Sequence, residues 1–211
     1  MNLINGSVRA AVAAVLLVSF GTNARADILV YTFDEVISGD TPGGTPPWAT
    51  LTIEDMGPNV VDLTLTHNVS SAEGQFLTEL DLSLTSIPGD IVVSEPLDPL
   101  LEGQPVFGDN LFTNAGFQFD VRIEFVNAPP DARFFPGLSA TIELMGTGLD
   151  SSSFTTATQE GEPTDLFALL HIQGIPPNDG SGKLGGNPVP EPSALATLIC
   201  LLPLLALRRR R

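Results

Sequence analysis

Apolar residues recur at every second position through much of this chain, and short Gly- and Pro-rich runs cut that pattern into pieces. The clearest piece is 117–125, where Phe117, Phe119, Val121, Ile123 and Phe125 alternate with Gln118, Asp120, Arg122 and Glu124. A period of two sends alternate side chains to opposite faces, so this run predicts a half-buried strand with five apolar residues on one face. Leu80, Leu82 and Leu84 repeat the pattern within 76–85, and Val61, Leu63 and Leu65 within 61–66. Leu51 with Ile53, Ala140 with Ile142 and Leu144, and Leu29 with Tyr31 and Phe33 add three more strands. Residues 166–172 are apolar on both parities, as expected for a central strand covered on both faces.

Turn signals separate these runs, among them Pro42-Gly43-Gly44, Gly57-Pro58-Asn59, Pro88-Gly89-Asp90 and Pro176-Pro177-Asn178. No helical period persists beyond a turn or two; 151–154 reads as a single turn capped by a Ser hydroxyl. The expectation is an all-β domain over 27–177, an antiparallel β-sandwich of about seven to nine strands. Residues 95–110 read as a long irregular loop, and 178–188, rich in glycine, as a flexible linker. The single cysteine, Cys200, rules out an intramolecular disulfide, so packing must stabilise the domain.

The ends differ from this middle. The formal net charge is −16, yet six of the nine basic residues are Arg9, Arg25, Arg208, Arg209, Arg210 and Arg211. All 25 acidic residues lie between Asp27 and Glu191, where the bases are only Arg122, Arg133 and Lys183. Nucleic acid is excluded as a partner of such a middle, because phosphate contacts need Lys and Arg. Residues 1–26 read as a secretory signal peptide with a helical apolar core at 10–20. Ala24 and Ala26 form the small-residue site for signal peptidase, which leaves Asp27 as the mature start.

Residues 189–211 hold three parts in order. These are Pro190, Glu191 and Pro192, then 14 almost wholly apolar residues at 194–207, then Arg208 to Arg211. As a helix the apolar run is roughly 21 Å long at about 1.5 Å per residue. A bilayer core is about 30 Å thick, so the run spans it only with snorkelling arginines and local thinning. The basic cluster belongs on the cytoplasmic side. This tail resembles the PEP-CTERM sorting signal. The resemblance implies an exported protein of a Gram-negative-type bacterium, anchored in the inner membrane as a precursor and processed by an exosortase. It further implies a final place in the envelope, at the surface or outside the cell, often with exopolysaccharide. The middle is similar to a domain recurrent among PEP-CTERM proteins, through Ala49-Thr50-Leu51-Thr52-Ile53, residues 119–125, Met145-Gly146-Thr147-Gly148-Leu149 and Leu170-His171-Ile172-Gln173-Gly174-Ile175. That likeness implies a β-sandwich without a known activity.

No nucleophile elbow, phosphate-binding loop or dinucleotide fingerprint is present, so the expected protein is non-catalytic and needs no cofactor. Two alternatives stay open. One is a secreted polysaccharide-active enzyme using a carboxylate pair. The other is a calcium-dependent adhesion module with loop ligands at Asp90, Asp109 and Asp179. His67 and His171 are the only histidines and lack metal-ligand spacing. His67 belongs at a strand end, and His171, between Leu170 and Ile172, is the first residue to test. Trp48 reads as a core plug or strand-end anchor.

Overall fold

A computed structural model describes residues 27–158 and 166–189. Ten strands follow in chain order: β1 (Ile28–Gly39), β2 (Ala49–Gly57), β3 (Val60–His67), β4 (Phe76–Leu82), β5 (Val92–Val93), β6 (Val106–Asn114), β7 (Phe117–Glu124), β8 (Ser139–Met145), β9 (Ala168–Ile175) and β10 (Gly180–Val189). All pairs are antiparallel, in one sheet of order β5-β8-β3-β2-β1-β10-β9-β4-β7-β6. The all-β expectation therefore holds, but the strands form one hydrogen-bonded sheet instead of two. The sheet curls: Leu51, Ile53, Leu63 and Leu144 from one half share a core cluster with Leu80, Ile123, Leu170 and Leu184 from the other. Phe134, Leu149 and Phe154 from connecting segments close that core, and the Tyr31 hydroxyl donates to the Phe154 carbonyl.

The strands with the cleanest alternation pair as their faces require. Leu51, Ile53, Leu63, Leu65, Ala140, Ile142 and Leu144 are buried, while Thr52, Thr64 and Thr141 lie in register on the other face. β9 is central, with β10 and β4 as neighbours, and its both-parity apolar run serves two cores. Leu170 and Ile172 enter the main cluster, and Leu169 enters a second one with Leu166, Phe117 and Phe119.

Four further expectations change. The run 117–125 does not feed one core, because Phe117 and Phe119 pack in the second cluster and only Val121, Ile123 and Phe125 in the first. The 95–110 loop ends early, since β6 begins at Val106. The short helix Ser151–Phe154 is 3₁₀, and its cap is Asp150, whose carboxylate accepts from the Ser153 backbone N–H in a capping box. The largest change concerns 178–188. The expected linker is most of β10, a strand at the middle of the sheet, so the domain runs to Val189 and not to 177.

Glycine misled there because it serves two opposite purposes. In a linker it supplies freedom; in a strand it allows close approach. A Cβ on Gly186 would lie 2.8 Å from Phe33 Cε1 and 2.9 Å from Ala168 Cβ, and one on Gly185 would lie 2.9 Å from Leu166 Cδ1. Side chains of β1, of β9 and of Leu166 just before β9 thus press on β10, where a side chain has no space.

Both sheet edges are blunted. β5 has two residues, and the Ser94 N–H continues its contact with the Glu143 carbonyl. At the other edge β6 loses register with β7 between Phe107 and Phe112, with Asn110 at φ 48° inside the bulge. Short or bulged edges discourage pairing with other chains.

Gly186→Ala is expected to destabilise the fold by about 1–3 kcal/mol through overpacking. Gly103→Ala has open space around it and is expected to leave stability nearly unchanged. Denaturant unfolding of both variants separates a packed strand from a linker, in which neither change would matter.

Candidate functional site

The strongest polar cluster lies on the face of β4, β7, β9 and β10 that points away from the main core. Alternation places it there. Arg122 sits between the core residues Val121 and Ile123, His171 between Leu170 and Ile172, and Glu79 and Asp81 flank Leu80. Register then aligns Asp81 with Arg122, and Glu79 with both Glu124 and His171, which is itself opposite Lys183.

Asp81 is fully buried. The Arg122 guanidinium donates to both its oxygens, Nε to Oδ1 at 2.8 Å and a terminal nitrogen to Oδ2 at 3.0 Å. The same Nε lies 3.2 Å from a Glu79 oxygen. Asn114 Nδ2 joins the two acids from β6, donating to Glu79 at 2.6 Å and to Asp81 at 2.7 Å. The guanidinium stacks over Phe112, 4.7 Å from the ring centroid. Burial pushes the Glu79 carboxyl above its usual range, the Asp81 charge pushes it further, and Arg122 and Lys183 oppose both. The hydrogen bonds to Asp81 in turn hold Arg122 more firmly protonated.

His171 is half-buried beside this network. Its Nδ1 lies 3.1 Å from the Thr78 hydroxyl. Burial lowers its pKa, Lys183 lowers it further, and Asp81 works against both. The arrangement suits clamping more than proton transfer. Asp81 has no solvent access, its two oxygens are occupied, and one guanidinium serves both carboxylates. What the network joins is β6, β7 and β4, three strands that hold one end of the sheet.

The other candidates fall in separate places. Asp90 accepts from the Thr147 N–H and hydroxyl, which lower its pKa. Asp109 lines a recess of about 360 Å³ with Asp120, whose oxygens are taken by the Asn110 and Leu84 N–H groups. Asp179 occupies the β9–β10 turn at φ 54°. Among the described residues no group of three or more His, Cys, Asp or Glu side chains is placed to hold a metal ion. Glu54, Asp62 and Glu143 do align across β2, β3 and β8, and burial together with the charges of Glu143 and Glu54 raises the Asp62 pKa.

His67 is a core residue at the end of β3, as expected. Its Nδ1 is 2.9 Å from the Phe134 carbonyl, so in the neutral ring Nδ1–H donates, and its buried Nε2 has no partner. Protonation would add a donor there without an acceptor. Burial accordingly lowers its pKa to about 4, against a weaker opposing effect of the Phe134 hydrogen bond. Trp48 is buried immediately before β2.

Asp27 opens the described chain and Val189 closes it. Ala24, Ala26, Pro190, Glu191, Pro192 and Arg208 to Arg211 lie outside the described residues, as do the expected helices at both ends. Among the described residues no helix is long and apolar enough to cross a membrane. No protein-family model, curated protein or solved structure matches the chain.

Two outcomes follow from this geometry. Arg122→Leu strands a buried carboxylate and is expected to cost about 3 kcal/mol, whereas Arg122→Leu with Asp81→Leu removes both charges and recovers much of that loss. A thermodynamic cycle on chemical unfolding measures the coupling. His67 has a folded pKa below its unfolded value, so the unfolded chain binds its proton first as pH falls. Stability contributed by neutral His67 is then full above about pH 6.5 and is lost toward pH 4, by about 3 kcal/mol. Unfolding curves across that range should show the loss in the native chain and a smaller one in His67→Gln.

Proposed function

We propose that this chain is an exported, non-catalytic protein of the cell envelope or extracellular matrix, sorted through its C-terminal tail by an exosortase. The observation that carries this reading is the order of parts at 190–211: Pro190-Glu191-Pro192, a short apolar run and four arginines. The signal-peptide pattern ending at Ala26 supplies the matching entry to the export route. We read the curled sheet as a sandwich built from one continuous sheet, its halves facing each other across a shared core. In this role the acidic surface keeps the domain soluble, and exopolysaccharide is the partner class that the tail suggests.

The sorting claim is tested by intact-mass analysis of the protein recovered from the cell surface or medium. The expected mass starts at Asp27 and lacks Arg208 to Arg211. A mature protein that retains the four arginines overturns the claim.

A further inference from the structure

We infer that the end of the sheet carrying Asp27 and Val189 stands on the lipid surface while the tail is in place, with the β2–β3 hairpin at Met56 in the headgroup layer. The inference rests on the sorting reading above and adds an orientation and a contact surface to it.

The first and last strands are neighbours and run antiparallel, with Val30 opposite Val189. The start of β1 and the end of β10 therefore leave the domain at the same end, on strands about 4.8 Å apart. Any segment before Asp27 and any segment after Val189 must depart from that one end.

Chain length then limits how far the domain can stand from the membrane. Only four residues, 190–193, separate Val189 from the apolar run that begins at 194. From Val189 to residue 194 is five steps along the chain, which at about 3.6 Å each reach at most roughly 18 Å. Val30 also pairs with Thr52, and β2 continues past that level toward Met56. Four further residues add roughly 13 Å at about 3.3 Å each. The overhang of the hairpin takes up most of the reach of the tether and leaves at most about 5 Å. With the apolar run at the hydrocarbon boundary, the hairpin tip falls within the headgroup layer, about 5–8 Å thick on each side.

Apolar side chains are exposed at this end. Met56 is 54% exposed, Val189 43% and Ile28 38%. Ile28, Leu29, Pro188 and Val189 also line a largely apolar recess of about 370 Å³ against Ser151 and Thr155. The opposite end carries the loop after His67, where Val69 is 85% exposed.

The test uses the chain purified from membranes with its tail intact, in a Cys200→Ser background. Single reporter cysteines are placed by Met56→Cys or Val69→Cys and labelled with a fluorophore. Each protein is reconstituted into phosphatidylethanolamine–phosphatidylglycerol vesicles with a headgroup-attached quencher. Circular dichroism confirms the β fold of each variant. The expected result is co-flotation with the vesicles and several-fold stronger quenching at position 56 than at 69. Co-flotation with equal quenching, or with stronger quenching at 69, overturns the orientation while leaving the anchor standing. Failure to co-float overturns the membrane reading of the tail, and the orientation falls with it.

Discussion

The pairing of β1 with β10 holds the two halves of this protein together. In the strand order of the described residues this ladder, from Val30–Val189 to Gly39–Gly182, is where one half of the sheet joins the other. The first strand of the domain therefore waits for the last. Until residues 180–189 are available, β1 has one partner and β9 lacks one of its two. Closing such distant contacts is entropically costly, and topologies dominated by them fold slowly. Phe33 and Leu184 mark what is gained when the ladder closes, since both become fully buried in the main core.

Burial on the inner face and a charge clamp on the outer face share the far half of the sheet. β4 meets β7 over only four register pairs, and β6 meets β7 around a bulge. That weaker hydrogen bonding coincides with the network of Asp81, Arg122, Asn114 and Glu79. Buried charges of this kind add less stability than their geometry suggests, because desolvation offsets much of the attraction. Their clearer effect is on register. A slip of one residue would carry Asp81 to the core face and leave Arg122 without its partner.

Much of the fold was legible in the sequence where one face of a strand meets the core. Residues 50–54, 61–66 and 140–144 alternate cleanly, and each is a strand with its apolar side inward. Alternation reports a face but not a neighbour, so it could not tell two sheets from one curled sheet. β10 was illegible for a different reason: glycine has no side chain with which to show a period, and the closest-packed strand resembled the loosest segment. The clamp was hidden by distance along the chain. Arg122 stands 41 residues from Asp81, and Asn114 stands 33 from it. A single hint was present, namely Arg122 as one of three bases among 25 acids. His171 was placed correctly on a strand between apolar neighbours, but nothing local announced Thr78 as its companion.

The blunt edges of the sheet acquire a meaning at high density. Ten antiparallel strands form a long template, and copies gathered on one surface meet each other far more often than copies in dilute solution. A template that ends on one side after Val92 and Val93, and on the other in a kink at Asn110, gives a neighbour no continuous row of amides to extend. Crowded copies of this domain can thus lie side by side as separate bodies instead of zipping into fibres.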